Sequence, residues 1–300
     1  MAAAAPAITR RRAWFLATRP FSAPASIVPV CVGAALAAEI DFRPVLFVLT
    51  FLGSVLIHAG TNLATDFFDF TDGVQPRDSL GGASIRRGVL SASEVHRAAI
   101  AAFGAGSILG LVIVLETGWP VLAAGFASVL AGYFYTAAPI SYGRRGLGEV
   151  MVFVFMGPLM VMAAYYVQLE RLTWASFYAS LPVGILVANI LHANNLRDIE
   201  NDRARRKLTI ATAIDRPASD YVLYALVIAA FAVVIVCVAL DALTPWSLLV
   251  ALAAPAAIAT LRELRHRDAA TLNGLVRASA RLHMHFGMLL ALGFVIAALT

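Results

Sequence analysis

Nine predominantly apolar stretches, each close to the length that carries a helix across a hydrocarbon core of about 30 Å, restrict this chain to a bundle of membrane-spanning helices. They run from Ala23 to Ala38, Pro44 to Thr65, Ala98 to Leu115, Trp119 to Pro139, Gly148 to Gln168, Trp174 to Ala193, Tyr221 to Leu240, Thr244 to Leu261 and Leu282 to Leu299. A span in lipid must satisfy its own backbone donors and acceptors, and a helix does so within one segment. Composition agrees, with 60% hydrophobic and 14% charged residues where soluble domains carry about 45–50% and about 25%. The first stretch is the shortest and holds Pro24 and Pro29.

Cations beside spans collect on the cytoplasmic face. With the amino terminus inside, 21 of the 23 basic residues fall in inner segments, leaving Arg43 and Arg171 outside. Adding or deleting one span would exchange the sides of every later loop and destroy that split. The expectation is an all-α integral membrane protein of nine transmembrane helices, amino terminus cytoplasmic, in a cell (inner) membrane. The net charge of +5 follows from this bias and from contact with anionic headgroups, so it implies no nucleic acid. No obligatory protein partner is evident, and the partner surface is membrane lipid. Cys31 and Cys237 lie within spans and read as apolar fillers rather than a disulfide. Residues 1–22 read as a lead-in on the inner surface, without the apolar core that marks a cleaved secretory signal.

Two acidic clusters begin inside the ends of spans. "HAGTNLATDFFDFTDGVQPRD" carries Asn62, Asp66, Asp69, Asp72 and Asp78 after the second, and "NNLRDIENDRARRK" carries Asn194, Asn195, Asp198 and Asp202 after the sixth. Steps of three or four residues return to one helix face, so Asn62, Asp66 and Asp69 share a face, as do Asn194, Asp198 and Asp202. Like charges stacked in a poorly hydrated setting cost free energy unless a cation sits among them. Carboxylate and amide oxygens are hard donors of the kind Mg²⁺ prefers, and Mg²⁺ keeps positions for water and phosphate oxygens. Opposed faces could hold a diphosphate between bridging metals. A weak shared frame, "LIHAGTNLATD" against "ILHANNLRD", hints at a duplication that opposes the two motifs across a cavity.

Bases interleave with the second cluster: Arg197, Arg203, Arg205, Arg206 and Lys207, the last being the only lysine in the chain. Lys207 reads as a phosphate-binding point charge. "SIRRGVLS" supplies Arg86 and Arg87, and "GRRGLGE" supplies Arg144 and Arg145, on the same side. Tyr133 to Tyr135, "YFY", together with Phe67 and Phe68, could offer π faces to a cation or mark a membrane interface. His58 and His192, near the start of each motif, read as helix-packing hydrogen-bond donors. An ion-coupled transporter would also pair acids, but near the bilayer midplane rather than at one edge beside bases.

"NLATDFFDFTDG", "GGASIRRGVLS", "YFYTAAPISYGRRGLGEVMVFVFMGPLMVMAAYYVQ" and "NNLRDIENDRARRKLTIA" together resemble the UbiA superfamily of membrane prenyltransferases. Within it the likeness is to the menaquinone-pathway branch that acts on 1,4-dihydroxy-2-naphthoate. It extends from "RPFSAPASIVPV" to "HFGMLLALGFVIAAL", nearly the whole chain. The resemblance implies one domain, residues 1–300, with nine helices around a central cavity. Residues 66–97 and 198–220 would be cytoplasmic cap loops bearing the motifs. It also implies Mg²⁺-dependent transfer of a polyprenyl group from its diphosphate to an aromatic ring, with the ring carboxyl leaving as carbon dioxide. Asp66, Asp69, Asp198 and Asp202 would hold the metals, with Asn62 and Asn194 beside them. Lys207 and Arg145 would meet the diphosphate, with Arg197 and Tyr135 close by. A 4-hydroxybenzoate acceptor is the alternative. The chain departs from the family at Thr65, where Asn is common, and at Arg206 and Asp215, where Gly is usual.

Overall fold

The computed structural model describes residues 9–73, 83–264 and 269–300. The first eight residues of the lead-in, Arg77, Asp78, Arg265 and Arg267 lie outside that range. The described residues form α1 (Arg10–Ala17), a 3₁₀ turn (Pro20–Ser22), α2 (Pro24–Ala37), α3 (Pro44–Thr71), α4 (Ala83–Arg86), α5 (Ala92–Thr117) and α6 (Trp119–Phe134). They continue with α7 (Gly148–Val154), a π turn (Phe155–Leu159), α8 (Met160–Leu169), α9 (Trp174–Arg197), α10 (Ile199–Ala204) and α11 (Ile210–Ala239). A 3₁₀ segment (Pro245–Ala253), α12 (Ala254–Glu263) and α13 (Ala269–Leu299) complete the chain.

Local sequence sets these boundaries. Pro44 and Pro120 stand in the first turns of α3 and α6, where a missing N–H costs nothing. Ser91 with Glu94, Thr173 with Ser176 and Thr209 with Thr212 form reciprocal caps at the starts of α5, α9 and α11. Among the described residues, seven helices are long and apolar enough to cross a membrane. The other two expected spans fall on α2, bent by 50° from the segment before it, and on the shorter apolar α6.

The main difference from the apolar runs lies at helix ends. α3 continues past Thr65 to Thr71, α9 past Ala193 to Arg197, and α11 starts at Ile210 rather than Tyr221. An apolar-run criterion stops at the first charge, whereas backbone hydrogen bonding continues into the polar region wherever side chains are satisfied. Much of the expected cap loops is therefore helical.

α9 is the central post: 61% of its apolar window is buried, against 22–44% for the other long spans. Its Gly184 meets Gly157 of the π turn so closely that a Cβ on Gly157 would lie 2.6 Å from Gly184 Cα. That contact brings α9 against the bent segment 148–169 and shapes one wall of the cavity described next.

Candidate active site

The first motif occupies successive turns of the inner end of α3. Asp66 is 1% exposed. Its Oδ1 accepts from Arg19 Nη2 at 2.5 Å, while its Oδ2 is buried without a hydrogen-bond partner among the described residues. Arg19 reaches it from the turn between α1 and α2, where the backbone is left-handed at φ 52°. Four residues before Asp66, the Asn62 amide donates to Thr18 O at 3.2 Å and Ser22 Oγ at 3.4 Å. Asp69 accepts from Arg144 Nη2 at 2.8 Å and Asp72 from Arg144 Nη1 at 2.5 Å, so one guanidinium fork spans both.

The second motif keeps its register across the end of α9. Asp198 N donates to Asn194 O at 3.1 Å and Asp202 N to Asp198 O at 2.8 Å, continuing the one-turn spacing. Asp198 takes both arms of Arg197, at 2.8 and 2.5 Å, and Arg197 also donates to Asn273 at 3.2 Å. Asp202 is 1% exposed and accepts from Lys207 Nζ at 3.0 Å. Burial pushes the Asp202 carboxyl above the ordinary carboxylate range; Lys207 pulls the other way, while Asp198 and Asp69 add to the rise.

The motifs are tied together by a short backbone strap. Leu208 N donates to Arg144 O and Gly146 N to Leu208 O, both at 3.0 Å. Arg144, which holds Asp69, is thus joined to the residue after Lys207, which holds Asp202. Asp69 and Asp202, 133 positions apart in the numbering, come within electrostatic reach of each other, and the Tyr135 phenol senses both as well as Arg19. Gly143 permits this packing: a Cβ there would lie 2.7 Å from the Tyr135 ring.

Tyr135 also lines a cavity of about 170 Å³. Its polar wall includes Arg19, Asn62, Thr65, Tyr135 and Asn194, and its apolar wall includes Phe155, Met156 and Met160 of the bent segment. Asn62 and Asn194 of the two motifs therefore line one space. Phe67, Phe68 and Tyr133 do not line it. They pack with α5, Phe67 stacking on His96 at 4.2 Å and Phe68 meeting Tyr133 at 5.4 Å.

The donor set suits Mg²⁺. It consists of carboxylate and amide oxygens, and Asp66 Oδ2 is a buried carboxyl oxygen without a hydrogen-bond partner among the described residues. Among the described residues no group of three His, Cys, Asp or Glu side chains gathers closely enough to enclose a metal. Mg²⁺ needs only one or two carboxylates when water and phosphate oxygens complete its shell.

Some participants were not evident in the sequence. Arg19 figured only as a cytoplasmic charge, yet it pairs with Asp66. Arg145, expected at the diphosphate, donates to Pro139 O at 2.6 Å, and its neighbour Arg144 holds the acids. His58 and His192 make hydrogen bonds between helices, as expected: His58 with Ser22 and Ser26, His192 with Glu149 and Ser219 O. Glu149 also accepts from Asn195 at 2.8 Å, bracing the last turns of α9. Arg206 and Asp215 both have positive φ, 55° and 65°, which is the conformation that makes Gly usual at such positions.

The family model described as "UbiA prenyltransferase family" matches residues 26–284. A 1,4-dihydroxy-2-naphthoate octaprenyltransferase of Bacillus subtilis (strain 168) is 29% identical over 287 residues, covering 93% of this chain and 91% of that protein. The structure of a UbiA homolog from Aeropyrum pernix K1 superposes with a TM-score of 0.68 at 15% identity, covering 91% of this chain and 97% of that one. A UbiA homolog from Archaeoglobus fulgidus, bound to GPP and Mg2+, gives a TM-score of 0.62 at 15% identity over 93% and 99%.

Proposed function

From the premise that this chain belongs to the UbiA prenyltransferase family, we propose that it transfers a polyprenyl group from polyprenyl diphosphate to 1,4-dihydroxy-2-naphthoate, with Mg²⁺ as cofactor. The naphthoate relatives support the acceptor, and the cavity between two acidic motifs supports the chemistry. The observation that carries the reading is the strap, because it joins Arg144, which holds Asp69, to the residue after Lys207, which holds Asp202, and so links the two acidic motifs. In this reading the protein has nine spans, its amino terminus and active site are cytoplasmic, and it resides in the cell (inner) membrane. No protein partner is required.

Asp66, Asp69, Asp198 and Asp202 would hold the metal ions, with Asn62 and Asn194 supplying amide oxygens. When bound, the metal supplies positive charge to the diphosphate oxygens and so eases departure of the leaving group. Arg144 and Lys207 bind the diphosphate, Arg144 through its fork and Lys207 as a point charge, while the Arg145 guanidinium is engaged with Pro139 O. Arg197 holds Asp198 in place. The allylic C–O bond breaks with its electron pair going to diphosphate, and the Tyr135 ring offers a π face to the developing cation. The apolar wall excludes water that would capture that cation. The ring carbon that bears the carboxylate forms the new bond to the cation, supplying a ring electron pair. The ring–carboxyl bond then breaks, carbon dioxide leaves and the electron pair returns to the ring.

Purified protein in nanodiscs, given Mg²⁺, a polyprenyl diphosphate and equal dihydroxynaphthoate and 4-hydroxybenzoate, tests the reading. A prenylated, decarboxylated naphthalenediol is expected. Product from hydroxybenzoate alone overturns the acceptor, and no product from either overturns the function.

A further inference from the structure

Glu149 stands in the first turn of α7 and is only 5% exposed. An enclosed carboxylate is costly unless hydrogen bonds answer it. Two groups do so at Oε1: Asn195 Nδ2 donates at 2.8 Å, and His192 Nδ1 lies at 3.2 Å. Both belong to the last turns of α9 and are three positions apart, so they share one face of that helix.

An adjacent face of α9 lines the cavity. Val187, Leu191 and Asn194 recur there at helical spacing, and Asp198 continues the row, its N donating to Asn194 O at 3.1 Å. At 3.6 residues per turn, consecutive side chains stand about 100° apart. Holding His192 and Asn195 against α7 therefore fixes the direction in which Leu191, Asn194 and Asp198 point. Apolar packing does not do this by itself. α9 also buries Leu186, Ile190, Ala193 and Leu196, and apolar contact is non-directional, whereas a hydrogen bond is not.

Glu149 lies close behind the strap, three positions after Gly146, whose N donates to Leu208 O. Gly148 brings this segment onto the cavity face of α9, since a Cβ there would lie 3.4 Å from Leu191 Cδ2. One short segment thus carries Arg144, which holds Asp69, and Glu149, which holds the helix leading into Asp198.

We propose that Glu149 is a positioning residue for the second acidic motif: through Asn195 and His192 it sets the rotation of α9, and so the direction in which Asp198 meets metal. The proposal rests on the transferase reading for the metal role of Asp198.

EPR titration of the full-length protein with Mn²⁺ in nanodiscs of zwitterionic lipid, without prenyl diphosphate or acceptor, tests it. Glu149→Leu removes both bonds and is expected to raise the Mn²⁺ Kd at least about tenfold, as loss of an outer support of a metal ligand does. Glu149→Gln keeps an oxygen acceptor for Asn195 and is expected to stay within about threefold of wild type. Asn195→Ala leaves the carboxylate in place and loses one bond; a rise of at least about threefold is expected, whether or not Glu149→Leu folds. With Asp198→Asn already present, Glu149→Leu is expected to add less than about twofold, because the two residues act as a unit, whereas a merely structural role would add its full effect. Wild-type Mn²⁺ affinity in Glu149→Leu or Asn195→Ala, an equal loss in Glu149→Gln, or additive losses with Asp198→Asn overturns the positioning role. Protein that binds Mn²⁺ with this dependence yet forms no prenylated product upholds the role and refutes the transferase reading alone.

Discussion

Replacing Arg144 separates a structural role from a catalytic one. Its fork holds Asp69, whose side chain is 18% exposed, and Asp72, which is 42% exposed. The Asp72 arm is a near-surface pair, contributing about 0–1 kcal/mol. The Asp69 arm is a charge-assisted bond in a more enclosed place, contributing about 1.5–3 kcal/mol. If the same donor atoms meet diphosphate during turnover, Arg144→Ala forfeits on the order of 2–4 kcal/mol, or roughly 30- to 1,000-fold in kcat/KM. Arg144→Lys keeps the charge but not the fork, and is expected to lose about tenfold. Arg145→Ala removes a cation whose guanidinium is engaged with Pro139 O, and is expected to lose only about fivefold or less. The assay is transfer from radiolabelled prenyl diphosphate in nanodiscs at saturating acceptor, with thermal melting to confirm folding. Folded Arg144→Ala within about threefold of wild-type kcat/KM would refute the assignment of its fork to the diphosphate.

Asp66→Asn and Asp198→Asn are expected to abolish turnover while the protein remains inserted and melts cooperatively; full activity in either removes that residue from the catalytic set. Because the folded-state pKa of Asp202 is raised, its contribution to stability is fully present below the ordinary carboxylate pKa and declines as pH rises through the raised value. Melting temperature against pH should therefore show a falling component over that window, which Asp202→Asn removes; an unchanged profile in the variant contradicts the burial argument. Arg206→Gly relieves a left-handed backbone at φ 55° and is expected to gain up to about 1 kcal/mol, read as a higher Tm. Gly157→Leu drives a side chain into Gly184 of α9, so the protein should melt earlier or fail to insert; an unaltered melt would show that the close approach is dispensable.

Much of the architecture was legible because lipid forces it. Apolar runs locate the helices, and the spacing of Asn62, Asp66 and Asp69 survives because α3 continues unbroken through Thr71. The second motif was legible for a similar reason, since its one-turn hydrogen bonds persist beyond the end of α9. What the sequence concealed was the choice of partner. Arg19 meets Asp66 across 47 positions, and Arg144 rather than Arg145 meets Asp69 across 75. Neighbouring arginines in a turn are alike in sequence, and only the direction in which the strap presents each one distinguishes them. The bracing of α9 by Glu149 through His192 and Asn195 was equally hidden, because a carboxylate beside a span gives no sign of which helix it faces. The positive φ of Arg206 and Asp215 was detectable, because family members usually have Gly there.

The central claim is that the two carboxylate-bearing helix ends serve one metal–diphosphate site. A structure determined with Mn²⁺ and a non-reactive prenyl thiolodiphosphate, with Mn²⁺ located by anomalous scattering, tests it most directly. Metal is expected within ligand distance of carboxylates from both Asp66/Asp69 and Asp198/Asp202, with diphosphate between them. Metal on one motif alone, or diphosphate bound away from the strap, would contradict it.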